Sequence, residues 1–272
     1  MRYAWDLQHR YLAESGLARG FKSALARLLL HRMRLWDSRT AHGVDAYAAN
    51  SHFIARRIRK AYGREAEVVY PPVAVPAQMP VTQKADYFLT ASRLVPYKNV
   101  RAVVEAFAFL PDQRLIVAGT GPELGRLRAL AGPNVAFRGF VPDTELESLM
   151  AAAAAFVYAA EEDFGIVAAE VQGQGAPVIA LGRGGACEIV QTRGPARTGL
   201  LFDEPTAEKI AAAIRTFLAM PEAFSPADCH ANAQRFSEQR FETAFRTFVQ
   251  THWARHHEGL RASRPPVLAA VA

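Results

Sequence analysis

The chain has 272 residues, 50% of them hydrophobic and 21% charged, and Lys+Arg exceeds Asp+Glu by 32 − 26, a formal net charge of +6. That composition is ordinary for a globular protein of one large or two smaller domains and excludes wholesale disorder, collagen-like repeats and a long coiled coil. The longest apolar run, residues 149–160, is well short of the ~20 residues that cross a bilayer. The N-terminal stretch MRYAWDLQHRYLAE has no apolar core of the secretory kind, and the two cysteines, Cys187 and Cys229, stand far apart in no metal or redox spacing. The cytoplasm is therefore the expected compartment.

The positive charge is unevenly spread. Arg19, Lys22, Arg27, Arg32, Arg34 and Arg39 share a stretch with Phe21, Leu25, Leu28, Leu29, Met33 and Trp36 at helical spacing. A basic amphipathic helix of this kind can lie on an anionic membrane surface, which would make the chain peripheral at the inner face of a membrane. The plainer expectation, favoured here, is a helix with its apolar side in the core and its basic side in water.

Residues 44–49 read as a strand, and Asn50-Ser51 caps a helix to about Tyr62 because a serine hydroxyl can accept from the free N–H groups of a first turn. A short strand at residues 68–70 leads to Pro71, Pro72, Pro76 and Pro80, which fit neither a helix nor a central strand. Residues 70–84 thus read as a linker between an N-terminal segment, 1–69, and a larger domain, 85–238. In that domain strands (86–91, 114–118, 135–138, 155–158, 177–181, 199–202) alternate with helices (100–109, 122–130, 143–153, 166–174, one from about 185, and 207–219), which implies parallel βαβ units. The expected fold is α/β, a Rossmann-like parallel sheet with helices on both faces. A last helix, 239–258, and a flexible tail, 259–272, complete the chain.

Ligands of open parallel sheets bind beyond the carboxyl ends of the strands, so the informative residues are those just after each strand. Ser92-Arg93-Leu94-Val95-Pro96-Tyr97-Lys98 places a forked guanidinium and an ammonium five residues apart, a pair suited to a diphosphate. Glu161-Glu162-Asp163-Phe164-Gly165-Ile166 runs from a strand end into a helix whose first N–H groups can face an anion. Glu162 and Glu170 then bracket one turn of that helix, and carboxylates accept hydrogen bonds from sugar hydroxyls. Taken singly, each of these residues is better explained by a solvated loop or helix surface.

Together they are more specific. Arg-x4-Lys after the first strand of the domain, Gly-Thr-Gly-Pro-Glu after the second, and Glu-x7-Glu enclosing Phe-Gly resemble family 4 glycosyltransferases, which have the two-domain GT-B fold. The likeness runs over residues 50–202, through NSHFIARRI, YPPV, SRLVPYKN, VAGTGPEL, NVAFRGFV, EEDFGIVAAE, PVIALGRGGACEIV and TGLLFDE. It is strongest to mannosyltransferases of bacterial polysaccharide or lipid-linked oligosaccharide assembly.

The resemblance implies retaining transfer of a hexose, mannose from GDP-mannose in the nearest subgroup, to a polysaccharide or lipid-linked saccharide acceptor, with no metal and no cofactor besides the nucleotide-sugar substrate. Arg93 and Lys98 would stabilise the leaving diphosphate, and the N–H groups of Gly165 and Ile166 would add to that. Glu162 would hold donor-sugar hydroxyls, with Asp163 and Phe164 in the same donor loop, and Glu170 the ribose. Arg138, Gly139, Phe140 and Val141 would meet the base largely through their backbone, and Gly119 and Gly121 would keep the cleft floor free of side chains. Ser92, Asn99 and Ala168 depart from the family pattern, where glycine, a basic residue and proline are frequent. Fewer than 70 residues precede the linker, too few for the family's acceptor domain, so the chain reads as N-terminally truncated. His9, His31 and His42 do not match the family's N-domain histidine. An acceptor half encoded separately is one implied partner; a non-catalytic nucleotide-sugar-binding remnant is the alternative reading. Binding of nucleic acid is not expected, since no stacking platform or recognition motif accompanies the charge.

Overall fold

The computed structural model describes residues 19–80 and 83–262, with Trp5, Gln8, His9, Leu12, Gly16 and Leu17. Two compact units divide the chain: one is Met1–Ala49, Ala55–Val69 and Phe241–Ala272, the other Asn50–Ile54 and Tyr70–Arg240.

The larger unit is built on a sheet of six strands, β3 (Phe88–Ala91), β4 (Leu115–Ala118), β5 (Val135–Gly139), β6 (Ala155–Tyr158), β7 (Val178–Leu181) and β8 (Gly199–Phe202). All pair in parallel, in the order β5-β4-β3-β6-β7-β8. The central strands read FLTA, LIVA, AFVY and VIAL and are buried at every position, as a sheet covered on both faces requires. One face is covered by α3 (Val100–Ala106), α4 (Leu124–Leu130) and α8 (Ala207–Leu218) through Val103, Val104, Leu127, Ile210 and Ile214. The other is covered by α5 (Asp143–Ala152), α6 (Ile166–Gly173) and α7 (Ala186–Ile189) through Met150, Ala168, Val171 and Ile189. The α/β expectation is met.

A helix the sequence did not announce, α9 (Pro226–Ala233), packs on α6. Its anchor is polar: Asn232 Nδ2 donates to Gln172 Oε1 at 2.6 Å and to Ile189 O at 2.7 Å, and Gln172 Nε2 donates to Thr198 Oγ1 at 3.0 Å. The proline-rich stretch after Tyr70 is seated on this unit. Val73 is buried, and its N–H donates to Phe236 O at 2.9 Å.

The smaller unit carries α1 (Phe21–Ala41), the two-residue parallel strands β1 (Ala48–Ala49) and β2 (Glu67–Val68), most of α2 (His52–Tyr62) and α10 (Glu238–Ala262) from Phe241 onward. The strands are shorter than the sequence suggested, and α10 runs past residue 258. Of the expected tail, 259–272, residues 259–262 belong to α10 and the rest lies outside the described residues, as do most of residues 1–18. Ser51 caps α2 as expected, its Oγ accepting from Ile54 N at 3.1 Å.

The expectation for the basic helix is overturned. Its packed side is Ser23, Ala26, Leu30, Met33, Asp37 and Ala41, whereas Phe21, Leu25, Leu28, Leu29, Leu35 and Trp36 face water. The reason is visible in Asp37, whose Oδ2 accepts from Trp5 Nε1 at 2.7 Å and Tyr62 OH at 2.8 Å and so fixes which side turns inward. Burial and this carboxylate push the Tyr62 phenol up to about 12. Among the described residues no helix is long and apolar enough to cross a membrane.

Candidate donor-nucleotide site

The strand order reverses between β3 and β6, one of which leads to β4 and β5 and the other to β7 and β8. At such a switch point the two following loops diverge to opposite faces and leave a crevice. Residues 92–99 follow β3 and residues 159–165 follow β6, so the two charged motifs of the sequence meet there.

The loop after β3 is held by backbone pairing to its neighbour after β4: Ser92 N donates to Ala118 O at 3.1 Å and Leu94 N to Thr120 O at 2.9 Å. This close approach explains Gly119 and Gly121. A Cβ on Gly119 would lie 1.9 Å from Ser92 O, and one on Gly121 would lie 2.3 Å from Leu94 O. The two glycines therefore admit a neighbouring backbone; keeping the cleft floor bare is not the tighter constraint. A turn at Pro96–Lys98 then leads to Asn99, whose φ of 53° is the one positive value at a non-glycine among the described residues. Asn99 Nδ2 donates to Ala159 O at 2.8 Å, which ties the β3 loop to the end of β6.

The loop after β6 is pressed from behind by the loop after β7. Gly185 N donates to Glu162 O at 2.9 Å, and Cβ atoms on Gly184 and Gly185 would come within 2.2 Å of Glu162 O and 2.1 Å of Phe164 O. Phe164 turns inward rather than to the cleft: it is buried against Tyr70 and Phe236, with ring centroids 5.6 and 5.1 Å away, so only its backbone faces outward. Asp163 O accepts from Ser51 Oγ at 2.6 Å. Gly165, at φ 95°, is the N-cap of α6, and its conformation rather than lack of space demands glycine.

Between these loops Lys98 Nζ donates to Glu162 Oε1 at 2.7 Å, a pair with side chains only 15% and 19% exposed. The ammonium also lies 3.4 Å from Tyr158 OH and 5.7 Å from that ring. Arg93 is exposed on the same rim. Both cations line a cavity of about 420 Å³ that continues over the ends of β4 and β5, past Gly119 and Thr120 to Phe140, Val141 and Asp143. Phe140 is 79% exposed, an aromatic ring left free at the mouth, while Val141 is buried beneath. Two strand spacings, about 10 Å, separate the β5 end from the β3 end. The cavity thus offers Phe140 and Val141 with the Asp143 carboxylate at one end and two cations at the other.

Arg138 is exposed on β5 and does not line the cavity, and Gly139, at φ 70°, turns the chain from it to Phe140 while its carbonyl accepts from Gly119 N at 2.7 Å. Glu170 sits on α6 close to Asp143. Burial raises its pKa first, then the Asp143 and Glu147 carboxylates. Ile166, the first residue of α6, is exposed. Three residues of the site were not anticipated. Tyr158 hid in an apolar strand run, Asp143 in an ordinary helix first turn, and Glu188 in the short helix α7. Glu188 caps α2, accepting from His52 N and Phe53 N at 2.9 Å each, and from Tyr70 OH at 3.1 Å.

Comparison with known proteins agrees with this fold. Residues 76–236 match the model of the family described as glycosyl transferases group 1. A GDP-mannose-dependent alpha-(1-6)-phosphatidylinositol monomannoside mannosyltransferase of Mycobacterium tuberculosis is 31% identical over 214 residues, which is 66% of this chain and 54% of that protein. Sucrose-phosphate synthase from Thermosynechococcus elongatus superposes with a TM-score of 0.72 at 21% identity, over 83% of this chain and 62% of that one. Alr3699/HepE of Anabaena, solved with UDP and glucose, gives 0.66 at 24% identity, over 76% and 63%. The chain spans about half the length of the curated relatives it matches.

Proposed function

Since the chain belongs to the group 1 glycosyl transferases, we propose that it is a retaining hexosyltransferase that moves mannose from GDP-mannose to a hydroxyl of a polysaccharide or lipid-linked saccharide. The observation that carries this reading is the meeting of Arg93 and Lys98 with the Glu162 loop at the switch point of the sheet, beside a cavity sized for a nucleotide.

In the reaction the bond between the sugar C1 and the β-phosphate oxygen breaks, a bond from C1 to the acceptor oxygen forms on the same face, and the acceptor proton passes to the departing diphosphate. The charge that develops on the diphosphate is met by the Arg93 guanidinium and the Lys98 ammonium, with the first N–H groups of α6 at Gly165 and Ile166 alongside. Glu162, already fixed by Lys98, accepts from sugar hydroxyls, and Glu170 from the ribose. The base lies over Val141 with Phe140 at its edge, and the carboxylate of Asp143 can accept from its N–H groups. Guanosine diphosphate is the nucleotide of choice in this reading because the mannosyltransferase relative is named for GDP-mannose.

The test is product analysis. The chain is incubated with GDP-mannose and a lipid-linked saccharide, GDP release is followed, and the new linkage is assigned by NMR. An α-linked product supports the reading, and a β-linked one contradicts it. A second reading is a binding module that holds the donor without transferring it. It predicts GDP-mannose binding with no turnover, and turnover restored by a separately produced N-terminal half returns the chain to the first.

A further inference from the structure

The larger unit holds a second cavity, of about 610 Å³, at the opposite end of α6 from the donor site. At 1.5 Å per residue, about 12 Å of helix separates Ile166 at the donor end from Gln174 here. Its walls are Val75 and Pro76 of the segment after Tyr70, Glu147 of α5, and Ser237 and Glu238 where α10 begins. The wall after Tyr70 is fixed by the bond from Val73 N to Phe236 O and by Gln234 Nε2, which donates to Pro76 O at 3.1 Å. Gly173 and Gly175 let that segment pass close on either side of Gln174: Cβ atoms there would lie 3.3 Å from Val75 Cγ1 and 3.2 Å from Met79 Sδ. Gln174, which lines the cavity, is thereby left only 7% exposed. Its carboxamide meets no hydrogen-bond partner among the described residues.

A buried carboxamide without a partner is rare and costly, and a ligand can relieve it. The group offers two N–H donors and a carbonyl acceptor, so it is satisfied in full only by a ligand group that both donates and accepts. A hydroxyl does this, whereas an ammonium or a metal ion would meet the oxygen alone. A phosphate would meet the nitrogen alone, and it would face the Glu147 and Glu238 carboxylates with no cation among the described residues that line the cavity. Those carboxylates and the Ser237 hydroxyl accept from further hydroxyls, while the half-buried Val75 and Pro76 offer an apolar wall to a C–H face. The volume is within the ~300–1,000 Å³ of small-molecule sites. We propose that this cavity is a second saccharide site, remote from the donor site, which takes a neutral hexose unit on the Gln174 carboxamide and the Glu238 carboxylate. The proposal stands on groups that the donor-site reading does not use.

NMR titration of the full chain with methyl α-mannoside, mannobiose, maltose and lactose, with and without GDP, tests it. At least one should bind with a Kd of about 1 mM or tighter, shift the side-chain N–H signals of Gln174, and do so equally in the presence of GDP. Gln174→Leu keeps the volume and removes both polar ends, so it should weaken saccharide binding by about tenfold or more, and Glu238→Ala, at an exposed position, by about threefold. Circular dichroism and GDP affinity should be unchanged in both variants. If Gln174→Leu does not fold, Glu238→Ala and the Gln174 signals decide. The proposal is overturned if no saccharide binds, or if one binds without moving the Gln174 signals and equally well to both variants. Spermidine moving those signals where no saccharide does would also overturn it and assign the cavity to a cation. Saccharide binding by a chain that does not bind GDP would remove the donor-site reading and leave this one standing.

Discussion

Lys98 and Glu162 are each other's counter-ions, so removing either has opposite consequences for an anionic ligand. Lys98→Ala deletes a charge-assisted contact worth about 1.5–3 kcal/mol and leaves a carboxylate facing the diphosphate, so GDP affinity should fall by tenfold or more. Glu162→Gln frees the ammonium and removes that repulsion, so GDP should bind more tightly while transfer is lost. Calorimetric titration of both variants checks the pair; weaker GDP binding by Glu162→Gln would contradict the arrangement. Glu170 makes a second prediction. Its folded pKa is raised by burial, Asp143 and Glu147, so between the ordinary glutamate value and the raised one the native state holds more protons than the unfolded chain. Its contribution to stability is greatest at acid pH and is lost as pH rises through the raised value. Glu170→Gln should therefore raise the melting temperature at neutral pH and leave it unchanged in acid, and it should weaken GDP binding if the proposed ribose role holds. A melting temperature lowered at neutral pH would show that the carboxylate is held favourably instead. Arg93, Lys98 and Glu162 were legible only in combination, through the family resemblance, because each alone reads as a solvated charge after a strand end. That the Phe164 ring is buried was not legible, because an aromatic beside a glycine reads alike whether it faces a ligand or a core.

Among the elements, the glycines separate two uses of the same letter. Gly119→Ala would drive a Cβ to within 1.9 Å of Ser92 O at a φ of 125°, a clash with backbone that should cost about 3 kcal/mol or more. Gly125, inside α4, has nothing within 4 Å of such a Cβ, and Gly125→Ala should stabilise by about 0.5–1 kcal/mol. Urea midpoints of the two variants should move in opposite directions. Asn232→Ala would strip Ile189 O and Gln172 of a buried partner and should destabilise by about 1–3 kcal/mol. The same contrast governs what was legible. Apolar runs announced the central strands because a doubly covered sheet needs side chains buried at every position. Helix α9 was silent because polar contacts to Gln172 and Ile189 anchor it, and periodicity does not register those. Periodicity also marked α1 as amphipathic but could not say which side packs, since that depends on Asp37 finding Trp5 and Tyr62 across the chain.

For the molecule as a whole, alternation of strands and helices implied a parallel sheet, yet the order β5-β4-β3-β6-β7-β8 rests on pairings between residues far apart in sequence. That order places the β3 and β6 loops side by side, and it turns two separately unremarkable charged motifs into one site. The central claim is that this site takes a nucleoside diphosphate. Its most direct test is calorimetric titration of the whole chain with GDP, beside UDP and beside the Arg93→Ala, Lys98→Ala double variant. One GDP bound per chain, in preference to UDP, and loss of binding in the double variant is the result expected. A folded chain that binds neither nucleotide, or a double variant that binds GDP unchanged, would contradict the assignment of the cavity.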